Sequence, residues 1–364
     1  MRRDGRLASL LLAALSRDWF GVPVALLLVG VGGGLLGVGA AWAVVLGGLA
    51  VAVGVLLAAG AGRHLLLVAR ERRRNPPPGR LVDVGGHRMH VLGEGEAGGG
   101  PTVVWMPGGH APGEDFRELH TMLSARARSV LVDRAGTGWS DVGPFPRTTA
   151  GEAAELLAAL DGAGERAPFV FVGHSLGGLL VANVARRRPD LVAGLVLLDP
   201  TPLEVIAFAP LNRQLAGARR GFLLTAVRQL FGAHRGGGGR TGPLCAAASA
   251  FGELSPAGLA RVGWETVVYD GDLGDLPLVL VIPRDLTGGE AVLAGARDVV
   301  EAERLSRFYL RSRVRYLAAS TASRLVHTPA GTGHDFPHEA PGFVVDVVGE
   351  LVRELRMAPE FGSH

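Results

Sequence analysis

The stretch Phe169-Val170-Phe171-Val172-Gly173-His174-Ser175-Leu176-Gly177-Gly178 decides the fold that we predict for this chain. Its apolar first half predicts a buried strand, and a helical pattern follows, so Ser175 lies at the corner between them within the spacing G-x-S-x-G. A strand that turns into a helix within a few residues crowds the backbone, which explains glycine at Gly173 and Gly177. We therefore predict a nucleophile elbow, with the serine Oγ exposed at the carboxyl end of a sheet.

Length and composition limit the possible classes of protein. The chain has 364 residues, 48% of them hydrophobic, and a formal net charge of +3, which allows one large domain or two small ones. Every basic residue apart from histidine is an arginine, and the arginines are scattered along the chain, so we do not predict nucleic-acid binding. The single cysteine, Cys245, excludes an internal disulfide and a cysteine-based metal cluster.

An uncharged block near the N-terminus predicts a membrane region over residues 1–74. Residues 20–62 contain 43 consecutive residues without a charged side chain, more than one helical span of roughly 20 residues needs. We predict two transmembrane helices, at about 20–38 and 41–62. Arginines flank both ends of this hairpin, which places both ends in the cytoplasm. The expected protein is a multi-pass protein of the cell membrane, with the lipid bilayer as a partner and the rest of the chain cytoplasmic.

The segment Asn75-Pro76-Pro77-Pro78-Gly79 is incompatible with a helix and predicts a linker over residues 75–80. Beyond it, short apolar strands alternate with amphipathic helices, which is typical of a mainly parallel sheet covered on both faces. This domain is predicted over residues 81–358. The alternation stops between about residues 200 and 275, where a helical and irregular insertion precedes the next strand. We interpret this insertion as a lid over the carboxyl ends of the strands.

A serine nucleophile needs a base to accept its proton, because its hydroxyl is almost fully protonated at neutral pH. His334 follows the last predicted strand and comes after Ser175 in the chain, as the order serine, acid, histidine requires. The adjacent Gly333 leaves room for the loop to turn back towards the serine. His338, one turn further on, is the competing base.

The acid that orients the base has several candidates. Asp285 follows the strand after the predicted lid, which puts it at the same sheet edge as the serine and the histidine. Asp199 also follows a buried strand and is the alternative acid, and Asp270 and Asp272 stay open. The oxyanion hole needs two N–H donors. We predict that Leu176 supplies one, and that Gly109, in the loop Pro107-Gly108-Gly109-His110, supplies the other.

Several motifs resemble those of the α/β-hydrolase superfamily, especially its epoxide-hydrolase-like and haloperoxidase-like branch. The resemblance covers about residues 80–355 and is carried by Val132-Asp133-Arg134-Ala135-Gly136-Thr137-Gly138-Trp139-Ser140-Asp141, Val172-Gly173-His174-Ser175-Leu176-Gly177-Gly178, Gly194-Leu195-Val196-Leu197-Leu198-Asp199 and Gly333-His334. It implies an α/β-hydrolase fold, no metal and no organic cofactor, with Ser175, Asp285 and His334 as the catalytic residues. The serine argues against epoxide hydrolysis and dehalogenation, which use an aspartate nucleophile in the enzymes resembled.

These observations predict a membrane-anchored serine hydrolase that cleaves an ester bond of a small acyl substrate through an acyl-enzyme on Ser175. Amide or peptide hydrolysis is a nearby alternative. A catalytically inactive hydrolase fold that serves as a binding or signalling module at the membrane is the non-enzymatic alternative. Apolar residues of the predicted lid, among them Phe208 and Phe222, also leave open a lipid-derived substrate.

Overall fold

A single eight-stranded sheet is the centre of the molecule. The computed structural model describes residues 10, 13–14, 17–96, 99–109, 111–145, 147–201, 271–283 and 298–357. The strands are β1 (Arg80–Asp83), β2 (Arg88–Glu94), β3 (Thr102–Met106), β4 (Ser129–Val132), β5 (Phe169–His174), β6 (Val192–Leu198), β7 (Leu278–Ile282) and β8 (Ser323–His327). They lie in the order β1-β2-β4-β3-β5-β6-β7-β8. The strand pairs β1–β2 and β2–β4 are antiparallel, and all other neighbours are parallel.

A glycine hairpin joins β1 and β2. Gly85 and Gly86 have φ angles of +100° and +102°, a conformation that side chains with a Cβ rarely adopt. The carboxylate of Asp83 accepts hydrogen bonds from both glycine N–H groups, at 2.8 and 3.1 Å, and so closes the turn. The central strands β3 to β7 are buried along their whole length, as the apolar runs predict for parallel strands covered on both faces.

Helices cover both faces of the sheet. They are α1 (Gly21–Leu36), α2 (Ala41–Arg74), α3 (Arg117–Ser124), α4 (Thr149–Ala163), α5 (Leu176–Arg187), α6 (Val299–Val314), α7 (Phe336–Glu339) and α8 (Pro341–Met357), of which α1 and α2 lie outside the sheet domain. Side chains alternate between the faces along each strand. Val104 and Phe171 face a core that includes residues of α4 and α5. Val103 and Val172 face a second core that includes residues of α3 and α8.

The N-terminal helices α1 and α2 form a closely packed pair. A Cβ added to Gly47 would lie 2.7 Å from the carbonyl oxygen of Gly32, and one added to Gly32 would lie 2.7 Å from that of Gly47. Glycine thus lets the two backbones approach. The longer helix, α2, is long and apolar enough to cross a membrane, whereas α1 is a shorter apolar helix of 16 residues. Helix α2 also continues to Arg74, twelve residues beyond the predicted end of the second span.

The linker after α2 is attached to the sheet domain. The indole Nε1 of Trp139 donates to the carbonyl of Asn75 at 3.0 Å, and the N–H of Gly79 donates to His90 Nε2 at 3.0 Å. His90 lies 3.0 Å from the buried carboxylate of Asp133 through its other ring nitrogen. The proline-rich segment is therefore non-helical, as predicted, and hydrogen bonds hold both of its ends. Most of the predicted lid, residues 202–270, lies outside the described residues.

Candidate functional site

Ser175 occupies the turn between β5 and α5 in a strained backbone conformation. Its φ and ψ are 52° and −120°, and a positive φ at a residue other than glycine costs on the order of 1–3 kcal/mol. A Cβ on Gly173 would lie 2.6 Å from the carbonyl oxygen of Gly177, and one on Gly177 would collide with the carbonyl of Met106. The two glycines are therefore required by contact, as the sequence pattern predicts. Strain concentrated at one serine is typical of a functional turn.

Strand β6 holds the elbow from its other side. The N–H of Ser175 donates to the carbonyl of Leu198 at 3.1 Å, and the carbonyl of Ser175 accepts from the N–H of Thr201 at 2.9 Å. Ser175 is thus bound to residues on both sides of Asp199, which follows β6. This pairing brings the end of β6 and the serine together although Ser175 and Asp199 are 24 positions apart in the sequence.

His334 lies in the loop after β8 and is bound to Asp199. Its Nδ1 is 2.6 Å from Asp199 Oδ2, and the Asp199 side chain is fully buried. An ionised carboxylate only accepts, so Nδ1 carries the proton and Nε2 is the basic nitrogen. The alternative acid of the sequence analysis is therefore the residue that the structure joins to the histidine. Asp285 and Asp270 lie outside the described residues, and Asp272 lies 4.0 Å from Arg186 instead.

Asp199 has a second charged neighbour that the sequence pattern did not indicate. Arg313, near the end of α6, places its Nε 2.9 Å from Asp199 Oδ1, the carboxylate oxygen that does not bind His334. Burial by itself raises the pKa of Asp199, but the Arg313 charge and the hydrogen bond from His334 outweigh it and hold that pKa below the usual value. The carboxylate is therefore ionised when His334 is neutral.

His174, the residue before the serine, supports the histidine loop. Its Nε2 donates to the backbone carbonyl of His334 at 2.9 Å, and the two imidazole rings lie 4.6 Å apart between centroids. Burial, reinforced by the nearby His334, lowers the pKa of His174 to about 3. His174 is thus a neutral hydrogen-bond donor at physiological pH. Only its place inside G-x-S-x-G could have indicated this role from the sequence.

The loop after β3 lies against the elbow. A Cβ added to Gly108 would be 3.4 Å from the Cβ of Ser175, and one added to Gly109 would be 3.7 Å from Leu176 Cδ2. The two predicted oxyanion donors, Gly109 and Leu176, are therefore neighbours beside the serine. Leu176 is the first residue of α5, where backbone N–H groups have no partner within the helix.

Arg134 fixes the backbone of this loop. Its buried guanidinium donates to the carbonyl oxygens of Pro107 and Gly108, at 2.6 Å each. In a trans peptide the C=O and the following N–H point in opposite directions. Because Arg134 holds the carbonyl of Gly108, the N–H of Gly109 points away from the guanidinium. Arg134 lies in one of the motifs that resemble the α/β-hydrolase superfamily, but that motif did not predict this contact.

A small cleft adjoins the elbow, lined by Arg134, Arg147, Thr148, Thr149, Glu152, Leu176 and Leu180. The guanidinium of Arg147 is buried there and pairs with Glu152 at 3.2 Å and with Glu155 at 2.7 Å. Its charge is thus compensated by carboxylates of α4. Leu176 contributes both to this cleft and to the start of α5, so the cleft lies next to the elbow.

The competing base, His338, has another partner. Its Nε2 is 3.2 Å from Asp115 Oδ2, and both side chains are more than two-fifths exposed. Its ring also lies 6.0 Å from that of Phe116, whereas His334 is the histidine bound to the buried Asp199. The geometry therefore favours His334 as the base, and His338 as part of a surface ion pair.

The fold and this site are those of a hydrolase with an α/β architecture. A family model described as "Alpha/beta hydrolase family" matches residues 103–347, and the chain belongs to that family. The match confirms the predicted superfamily and the predicted α/β-hydrolase fold with its mainly parallel sheet.

Known relatives share parts of the chain. A 2-(acetamidomethylene)succinate hydrolase of Mesorhizobium japonicum is 34% identical over 123 residues, which are 34% of this chain and 43% of that protein. A pimeloyl-[acyl-carrier protein] methyl ester esterase of Chromobacterium violaceum is 38% identical over 105 residues, 29% of this chain and 39% of that protein. The chain thus spans less than half the length of these curated relatives. The solved enol-lactonase of Burkholderia xenovorans has a TM-score of 0.52 at 15% identity, covering 75% of this chain and all of that one, and shares the fold.

Proposed function

We propose that this protein is a serine hydrolase that cleaves carboxylic esters through an acyl-enzyme on Ser175. The observation that carries the proposal is the hydrogen bond from His334 Nδ1 to the buried Asp199, placed beside a strained serine elbow. An acid, a base and a nucleophile at one edge of a sheet are the parts that acyl transfer needs. Asp199 is the acid in this proposal.

The reaction follows from the roles of these groups. His334 Nε2 takes the proton of Ser175 Oγ while that oxygen attacks the ester carbonyl carbon. The N–H groups of Leu176 and Gly109 bind the resulting oxyanion. The intermediate expels the alcohol, which receives the proton from His334, and leaves the acyl group on the serine. Water then attacks the acyl-enzyme with His334 as base, so that a carboxylic acid is released and Ser175 regains its proton.

The choice of an ester over an amide rests on the relatives. One relative is named a methyl ester esterase, which names the kind of bond that we propose, and another is named a 2-(acetamidomethylene)succinate hydrolase. An amide substrate remains the second outcome of the assay below.

Membrane anchoring by α1 and α2 is part of the proposal. Large apolar side chains on the outside of the helix pair are exposed, including Leu27, Val45, Leu49 and Leu56, each above 60%. Helix α2 is about 51 Å long, enough to cross a hydrocarbon core of about 30 Å and continue beyond it. Its last turn carries Arg72, Arg73 and Arg74, which favours a cytoplasmic hydrolase domain. A reporter fused to the C-terminus that is active only in the cytoplasm tests this orientation.

Labelling with a fluorophosphonate tests the catalytic proposal. Detergent-solubilised protein is treated with the probe, and mass spectrometry locates the adduct, with short p-nitrophenyl esters and anilides assayed in parallel. We expect an adduct on Ser175 that is lost in Ser175→Ala and His334→Ala and kept in the matched control His338→Ala. Folded protein that neither reacts with the probe nor hydrolyses either substrate would support the inactive binding module instead.

A further inference from the structure

Arg313 is the residue from which we draw the inference. It lies one residue before the end of α6, and its side chain is 6% exposed. Its Nε is 2.9 Å from Asp199 Oδ1, while His334 Nδ1 is 2.6 Å from Asp199 Oδ2. The carboxylate therefore lies between a guanidinium and an imidazole, with one oxygen facing each. The usual arrangement of a serine, a histidine and an acid needs no such cation.

The two neighbours of Asp199 differ in when they are charged. Arginine stays protonated at all physiological pH values, whereas the imidazole gains and loses a proton during each turnover. A buried carboxylate is costly without a compensating charge. Arg313 supplies that compensation while His334 is neutral. When His334 becomes protonated, the cation of Arg313 repels the new positive charge through the shared carboxylate.

We propose that Arg313 is a positioning residue for the hydrolysis. It holds Asp199 ionised and oriented, and it limits how strongly Asp199 stabilises protonated His334. The inference rests on the proposed function, because it assigns a role within the same site. Its consequence is that His334 stays a neutral, competent base to a lower pH than it would beside an uncompensated carboxylate.

Other charged or titratable groups lie near the pair formed by Asp199 and His334. In the part of the chain that the structure describes they are His174, His338 with its partner Asp115, Asp335 and Glu339. His174 is neutral because burial lowers its pKa to about 3, and His338 Nε2 lies 3.2 Å from Asp115 Oδ2. Glu339 accepts the backbone N–H of Gly333 in the histidine loop at 2.8 Å. Arg313 is thus the permanent cation in contact with the carboxylate among these described groups.

The pH dependence of kcat/KM tests the proposal. The wild type, Arg313→Gln, Arg313→Lys and the control Arg307→Gln are assayed with p-nitrophenyl butyrate in detergent from pH 5 to 9. Arg307 lies on the same helix with its side chain 65% exposed. Glutamine keeps a polar side chain at this position without the charge, so we expect the acid limb of the profile to move up by about one pH unit. Lysine keeps the charge and should leave the limb within about 0.3 units, as should the control.

The outcomes separate this inference from the proposed function. An inactive, unlabelled wild type would overturn the proposed function and, with it, the role of Arg313. An active wild type with a folded Arg313→Gln variant whose acid limb does not move overturns the role of Arg313 alone. If Arg313→Gln does not fold, Arg313→Met decides in the same assay: an upward shift of the acid limb supports a charge effect, and an unmoved limb contradicts it.

Discussion

Replacing Asp199 by asparagine gives the sharpest test of the site. Arg313 is a donor only, and it lies against Asp199 Oδ1. The amide oxygen of the new asparagine would therefore face Arg313, and the amide NH₂ group would face His334 Nδ1. That nitrogen would have to accept a hydrogen bond, so the imidazole proton would move to Nε2. The base would then present an N–H to Ser175 and could not take its proton.

The size of the loss follows from this change of tautomer. An asparagine in the place of the triad acid lowers kcat by about 10⁴, or about 5.5 kcal/mol of transition-state stabilisation. We expect Asp199→Asn to lose 10³-fold to 10⁴-fold in kcat. The measurement is steady-state hydrolysis of p-nitrophenyl butyrate, with the melting temperature of each variant recorded to confirm that it folds. The control is Asp285→Asn, which should keep activity within about threefold. A folded Asp199→Asn enzyme with normal activity, beside an inactive Asp285→Asn, would refute the assignment of the acid.

Three further predictions follow from contacts elsewhere in the molecule. Gly47→Leu should destabilise the helix pair by about 1–3 kcal/mol, because its Cβ meets the backbone of Gly32. Gly48→Leu, with open space around it, should not. Thermal unfolding of the two variants in detergent compares them. Arg134→Met should lower kcat about 100-fold with a smaller change in KM, because it frees the oxyanion loop. An unchanged kcat with an effect of similar size on KM alone would contradict this. Burial lowers the pKa of His120 to about 4, so between that pH and about 6.5 the unfolded chain binds a proton that the folded chain does not. Stability should therefore fall as the pH is lowered from about 6.5 to 4. His120→Leu should flatten that decline in a series of melting temperatures measured across this pH range.

The local sequence pattern was enough to predict the elbow and the sheet. Ser175, Gly173 and Gly177 could be assigned because the steric requirements of a strand-to-helix turn act between residues close in sequence. The buried strands were equally visible, since parallel strands covered on both faces are apolar along their whole length. The helix before the linker was different: the end of the uncharged block predicted a boundary at Gly62, yet the helix continues to Arg74. Charged residues continue a helix as well as apolar ones do, so a change in polarity does not mark its end.

The acid of the site depends on the tertiary structure. Asp199 and Asp285 both follow buried strands, and sequence order permits either of them. The hydrogen bond between Asp199 and His334 joins residues 135 positions apart, and only the packing of β6 beside β5 brings that carboxylate next to the elbow. The contacts of Arg313 with Asp199 and of His174 with the His334 loop arise in the same way. The sequence by itself identified the family and predicted Ser175 as the nucleophile and His334 as the base, because these depend on short-range patterns and chain order. The tertiary structure decided the partners of that histidine, because long-range contacts between buried charges leave no local pattern.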